Sequence, residues 1–401
     1  MTDEIIKQLL TDTASSCKNK GGWINLAEFG IALKAKGFDL KTTGHIKLLH
    51  FLSSFPALVD VKEDTSFEPP VPFIKIVNAQ QSAKGSAAQP GTGFTKQKPL
   101  LFQWAWMKDF KLVLKELSEF ALPEQWYYGP PRQTDYFPIL ANYLIYTFIR
   151  LKKENKVKEE GNYAAFNTGL VDKKYEPIFA LFEGTTNYTQ KWRFSSFCVA
   201  GEERAGKDLV SKFKHLPERA HYFKNTADMI YDRTSGELSY DVKHVFIENT
   251  SRLPLDFLEE NCPKGFIIKD TSKMSFEERT IYFEQFGAAI EADVKKYRYM
   301  KGRLDEAVKL ALKRIDWNFK TAIPMYFPTK NKMSLLLPLA MVNDDKVDIA
   351  LVVERTQSGN YLGHTILPLS WSYSNARLVT RPDSDWLIAK EIILADEDEQ
   401  V

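Results

Sequence analysis

Asp241, His244, Glu248, Asn249 and Arg252 stand in one short segment that closes on Leu253 and Pro254. The chain has 6 histidines, and three of them (His215, His221 and His244) fall in this part. Apolar alternation predicts a strand over 242–247. On a strand Val242, His244, Phe246 and Glu248 share a face. A histidine and a carboxylate so placed can serve as base and orienter beside a scissile bond, which makes His244 and Glu248 the catalytic candidates. Arg252, just past the strand end, can grip a phosphate through paired N–H bonds. The chemistry predicts one pocket that holds His244 and Arg252 with Asn167 or Lys320. The alternative is a strand edge closed by an Asn–Arg turn, with His244 among apolar side chains and Arg252 paired to a surface acid.

Asn167, Asn249, Arg252, Lys320 and Arg377 are the candidates for holding a phosphate or nucleotide. Asn167–Thr168–Gly169 follows an apolar run, and such polar turns at strand ends either line pockets or simply turn the chain. Glu354 and Arg377 each follow an apolar stretch, as a buried ion pair or a substrate-binding pair would. Gly201–Glu202–Glu203–Arg204–Ala205–Gly206–Lys207–Asp208 nearly spells a phosphate-binding loop. Asp208 stands where that loop needs the magnesium-binding Ser or Thr, and Glu202 and Glu203 would repel phosphates. An exposed turn is expected there.

The richest basic segment runs from Asp293 to Lys320. Lys295, Lys296, Arg298, Lys301, Arg303, Lys309, Lys313, Arg314 and Lys320 oppose Asp293, Asp305, Glu306 and Asp316, nine cations against four acids. Tyr297, Tyr299, Trp317 and Phe319 are interleaved. Cations neutralise phosphates and aromatic faces stack on bases, so Lys295, Lys296 and Arg298 are candidates for binding nucleic acid. A solvated helix face is the plainer account.

Of the 401 residues, 44% are hydrophobic and 13% aromatic, enough to exclude global disorder. The 54 basic and 52 acidic residues leave a formal net charge of +2, so any nucleic-acid binding must come from local patches. Cys17, Cys198 and Cys262 are too sparse for a disulfide framework or a zinc site, and no metal or cofactor is expected. Met1 to Leu10 carries Asp3 and Glu4 without a long apolar run, and no stretch is apolar for long enough to cross a membrane. A cytoplasmic setting without membrane contact is the expectation.

Helical spacing of Ile5, Ile6, Leu9 and Leu10, a short extended piece at 23–25, helices over 26–36 and 44–54 and a strand over 57–62 describe a small winged helix-turn-helix at 1–62. Residues 63–98 are rich in Pro, then in Gln, Ser, Ala and Gly, and read as a flexible linker. From 99 to 391 helices are predicted near 107–120, 137–154, 276–297 and 304–316. Strands are predicted near 164–168, 178–182, 192–198, 334–342, 349–354 and 365–369. That mixture does not alternate strictly, so a large α+β domain is expected, not a doubly wound sheet. Residues 392–401 form an acidic tail.

Trp23–Ile24–Asn25–Leu26, Phe38–Asp39–Leu40, and His45–Ile46–Lys47–Leu48–Leu49 with Phe55–Pro56 give residues 1–62 a resemblance to the OST-HTH or LOTUS domain. That resemblance implies a winged helix that binds RNA or docks a partner protein. Its Lys34, Lys36, Lys41 and Lys47 are then further nucleic-acid candidates. Residues 100–390 resemble a bacterial domain family of unknown function that sometimes follows winged-helix modules. Phe166–Asn167–Thr168–Gly169–Leu170, Tyr175–Glu176–Pro177–Ile178–Phe179–Ala180–Leu181–Phe182, Ala350–Leu351–Val352–Val353–Glu354 and Asn375–Ala376–Arg377 carry the match. It brings no activity with it. An RNA-binding protein of RNA metabolism or defence is the first expectation. The second is a phosphodiester- or nucleotide-processing enzyme that uses the winged helix for targeting. The third is a protein-interaction scaffold.

Overall fold

The computed structural model describes residues 9–14, 17, 23–38, 40, 48–53, 59–64, 71–76, 98–186, 189–223, 225–234, 236–272 and 274–392. They fall in two units, Met1–Thr95 and Lys96–Val401.

In the first unit a helix over residues 9–14 (α1) precedes β1 (Ile24–Asn25), α2 (Leu26–Ala35), α3 (Leu48–Ser53), β2 (Val59–Asp64) and β3 (Val71–Ile76). The Asn25 side chain accepts the Ala27 N–H at 2.8 Å, which satisfies a donor that the start of α2 leaves open. Gly37, at φ +80°, lets the chain turn away after α2. Leu10, Ile24, Phe29, Leu33, Phe51, Leu52, Val59 and Ile74 form the core. The antiparallel sheet has the order β1-β3-β2, a winged-helix arrangement.

The strand expected at 57–62 runs from Val59 to Asp64, and the linker cannot begin at 63, because β3 lies within that span. Three prolines there suggest loose chain, yet Ile74 is fully buried. Pro72 is tolerated because β1 pairs only Phe73 and Ile74, so at Pro72 β3 has a single neighbour, β2. The rest of the expected linker (65–70 and 77–97), Ile5, Ile6, Lys41, Lys47 and the tail after Ile392 lie outside the described residues.

The second unit opens with α4 (Leu100–Trp104), β4 (Ala105–Trp106), α5 (Phe110–Phe120) and α6 (Pro138–Lys153). β5 (Lys158–Glu160), β6 (Tyr163–Val171), β7 (Pro177–Gly184) and β8 (Trp192–Val199) follow, then α7 (Glu203–Lys212), β9 (Leu238–Tyr240) and α8 (Leu255–Glu260). α9 (Phe276–Ala292) and α10 (Val294–Trp317) lead into β10 (Ile323–Phe327), β11 (Lys332–Leu339), β12 (Ile349–Arg355), β13 (Tyr361–Pro368) and α11 (Leu369–Val379).

Two mixed sheets result, with the orders β4-β8-β7-β6-β5 and β10-β11-β12-β13-β9. Strict alternation gives each strand two apolar faces. Ala164, Phe166, Ala180 and Phe182 of one sheet, and Met325, Leu336, Ala350, Val352 and Leu367 of the other, share a core with α6 and α11. On the far side of the first sheet Phe179, Leu181 and Cys198 pack on Leu209 and Phe213. On the far side of the second sheet Leu335, Leu337 and Leu351 pack on the α10 stripe Leu304, Val308, Ala311 and Ile315. The unit is α+β, and no helix among the described residues is long and apolar enough to cross a membrane.

Two expectations are corrected. The strand at 242–247 is instead a helical turn with wide, π-type spacing over His244–Glu248. Asp241 Oδ1 accepts the N–H groups of Lys243 at 2.9 Å and His244 at 3.2 Å and so starts a helix. Val245, Phe246 and Ile247 are all buried, which no two-faced strand with one wet side permits. Gly287 of α9 approaches so closely that a Cβ there would lie 2.6 Å from the Ile247 carbonyl oxygen. Secondly, the helix expected over 276–297 breaks at Asp293, whose side chain accepts the Lys296 N–H at 3.1 Å. Lys295, Lys296 and Arg298 therefore belong to the same 24-residue helix as the 304–316 stripe.

Candidate nucleic-acid interface

At about 1.5 Å per residue α10 is roughly 36 Å long. Its buried side carries Met300, Leu304, Ala307, Val308, Ala311 and Ile315. Spacings of three and four place Lys295, Arg298, Tyr299, Lys309, Lys313 and Trp317 together on the opposite, exposed side, with Lys301 at its margin. Tyr299 is 64% exposed and Trp317 93%. Both are larger apolar surfaces than a helix normally leaves in water.

The acids of this helix are already engaged. Asp293 caps it, and Asp305 accepts the Tyr240 hydroxyl at 2.6 Å. Asp316 binds Arg233 at 2.7 Å, a hydrogen bond that holds its carboxyl below the usual range. Glu306 lies 3.8 Å from Arg303. Three cations are spent as well. Lys296 Nζ donates to the Glu260 carbonyl at 2.9 Å. Arg303 holds the Ala340 and Met341 carbonyls and Asp344, and Arg314 holds the Asp344 carbonyl at 2.6 Å. Lys295, Arg298, Lys301, Lys309 and Lys313 have no hydrogen-bond or ion-pair partner among the described residues. They form a track of cations that no ion pair among the described residues consumes, so their charge stays available at the surface. Of the sequence candidates here, Lys295 and Arg298 lie on the track and Lys296 is a structural clasp. Sequence reasoning misses Lys309 and Lys313, although their spacing of four from one another and from Trp317 marks the same face.

The pocket expected around His244 and Arg252 does not assemble. His244 Nδ1 and Glu248 Oε2 are 2.6 Å apart on one helical turn, and both side chains are more than a third exposed. Asn249 is buried and its amide donates to the His244 carbonyl at 2.7 Å, which closes the turn. Arg252 points elsewhere, with Nη1 donating to Thr365 Oγ1 at 2.7 Å and to the Ile366 carbonyl at 3.2 Å over the Trp371 ring. Burial lowers its pKa, and it has no carboxylate partner among the described residues. It lines a cavity of about 660 Å³ with Ser251, Lys269, Asp348 and Glu391, and His244, Asn167 and Lys320 are not part of that lining.

Asn167 Oδ1 accepts the Gly169 N–H at 2.9 Å, shaping the irregular end of β6. Lys320 is exposed and lies 3.1 Å from Asp383. Arg377 is 8% exposed and grips Glu124 through two bonds of 2.6 and 2.8 Å, between the rings of Trp126 and Tyr143. It is the anchor of a buried ion pair whose acid is Glu124 and not Glu354; Glu354 lies 3.0 Å from His364. In the loop-like run at 201–208 the Gly201 N–H is spent on the Gly206 carbonyl at 2.9 Å and the Gly206 N–H on the Glu202 carbonyl at 3.0 Å. The run is a turn into α7, with Glu203 in its first turn. In the first unit Lys34 is exposed on α2 and Lys36 Nζ donates to the Asp12 carbonyl at 2.7 Å.

Neither a curated protein nor a solved structure matches the chain. The family model of the OST-HTH/LOTUS domain matches residues 1–71, and domains of that kind are associated with RNA binding. A second family model, described as a domain of unknown function (DUF3825), matches residues 117–386, which takes in α10 and both sheets except β4. With most of its length inside that match and the winged helix before it, this chain belongs to the DUF3825 family and carries an N-terminal OST-HTH/LOTUS domain.

Proposed function

We propose that this protein binds RNA, with the winged helix as one contact and the exposed side of α10 as the other. The observation that carries the reading is the row of cations on α10 that have no hydrogen-bond or ion-pair partner among the described residues. An unneutralised row of cations costs electrostatic repulsion in the free protein, and a polyanion relieves it while releasing its own counterions. Tyr299 and Trp317 on the same face supply stacking surfaces that a purely solvated helix does not need. Catalysis on RNA is a weaker reading, because His244 and Glu248 stand on an open surface.

The test is binding of a fluorescent RNA by the full chain over a range of salt. Affinity is expected to fall as salt rises. Replacing Lys295, Arg298, Lys309 and Lys313 together by Ala is expected to flatten the slope by about one unit for each phosphate that is no longer neutralised. An unchanged slope would move the phosphate path to the winged helix and Lys34. RNA-independent capture of a protein through the winged helix, with no RNA affinity in the pure chain, would favour the scaffold reading instead.

A further inference from the structure

The track on α10 ends in a cleft. Lys313, Trp317, Asn318 and Thr321 form one side, and Trp386 and Glu391 belong to the other. Its volume is about 460 Å³, within the range of sites that take small organic groups. Trp317 is the last residue of α10, and the backbone that carries it is fixed from behind. The Asn318 N–H donates to the Arg314 carbonyl at 2.8 Å, and Asn318 Oδ1 accepts the Lys320 N–H at 3.1 Å, so the helix ends and a new turn starts. Trp386 is held by its indole N–H, which donates to the Thr321 carbonyl at 2.9 Å. One indole is thus a fixed wall of the cleft, while the other, 93% exposed, has neither a ring neighbour nor a hydrogen bond among the described residues.

We infer that this cleft receives an unpaired nucleobase stacked on Trp317, so that the RNA lying along α10 is single-stranded. The inference rests on the RNA reading above and narrows it to one class of RNA. Lys313 stands one helical turn before Trp317, so a cation for the phosphate and a ring for its base lie side by side. The cleft itself is electrically balanced. Asp345, Asp385 and Glu391 line it along with Lys313, Arg314 and Lys346. A free phosphate gains little in such a place, whereas the neutral edge of a base can give its amino hydrogens to the carboxylates and stack its face on the indole. A base inside a duplex offers neither its face nor its pairing edge without being extruded. A duplex would therefore use the cations of α10 and leave the cleft empty.

The experiment compares a short single-stranded RNA with the same strand annealed to its complement, each titrated with the full chain by fluorescence anisotropy. Trp317→Ala is expected to weaken the single strand about five- to tenfold, the lower part of what one base–aromatic stack is worth. It is expected to leave duplex affinity and both salt slopes unchanged, and Trp317→Phe is expected to recover most of the loss. Because the ring is exposed, the melting temperature checks that neither variant is misfolded. An equal effect of Trp317→Ala on both RNAs, or no effect on the single strand, would overturn the inference while leaving the RNA reading intact. Failure of both RNAs to bind the unmodified chain would remove the RNA reading and this inference with it.

Discussion

Two parts of the large unit carry dense charge, and they use it in opposite ways. Around α11 the guanidinium of Arg377 is enclosed, with a carboxylate on one side and two aromatic rings about it. Along α10 five cations of the exposed face have no partner at all among the described residues. Burying a charge demands that it be paired and hydrogen-bonded, so the pair at Arg377 is fully used by the fold. An exposed cation is under no such demand, and one left unpaired keeps its field available to something outside. Residue type does not distinguish Arg377 from Arg298. What distinguishes them is whether the fold has already consumed their bonds.

The largest expected effect breaks the enclosed side of that comparison. Arg377→Ala leaves Glu124 buried and without its cation, and should destabilise the large unit by roughly 3–5 kcal/mol, the usual cost of orphaning one member of a buried pair. Denaturant unfolding of the variant measures this. RNA affinity per folded molecule should not change. A stability loss below about 1 kcal/mol would mean that Glu124 is not dependent on Arg377, and the contrast with α10 would fail. A much smaller effect is expected at His244. Its contact with Glu248 is exposed and spans one turn, an arrangement worth about 0.3–0.5 kcal/mol. His244→Ala should therefore move the melting temperature little and leave RNA binding alone. A large loss of RNA affinity on that change would show that the 241–252 segment is a site after all.

Much of the framework is readable in the chain before any coordinates. The apolar runs that become β6, β7, β8, β11, β12 and β13 and the apolar stripe at Leu304, Val308, Ala311 and Ile315 report burial directly. Gly37 marks the end of α2 in the same way, while the Asn25 cap at its start shows only in the structure. The failures have local causes. Val245, Phe246 and Ile247 look like strand residues, and only the capping bonds from Asp241 and the close approach of Gly287 make them helical. Pro72 hides β3, since the prolines are visible in the sequence and the missing neighbour at that position is not. Candidate sites fare worse than strands for a general reason. The sequence shows which groups can donate or accept. It does not show that Asn249 has already spent its amide on His244, or that Arg377 belongs to Glu124, 253 residues away.

Lys295 and Lys296 give the finest form of the comparison. They are neighbours of identical chemistry in the first turn of α10, and nothing in the sequence separates them. The helix does, because successive residues are turned about 100° from one another. Lys295 faces water beside Arg298 and Tyr299, while Lys296 reaches the Glu260 carbonyl at the end of α8 with a 2.9 Å bond. If the track binds phosphates, Lys295→Ala should lower the salt slope of RNA binding by about one unit and leave stability unchanged. Lys296→Ala should do the reverse, keeping the slope and losing part of the hold between α8 and α10. Both slopes measured in one titration series decide the point. Equal losses from the two changes would mean that Lys296 leaves its carbonyl for RNA, and that the partner seen in the fold is no guide to which cations are available. A loss confined to Lys295 would fix the phosphate path on the face that ends at Trp317.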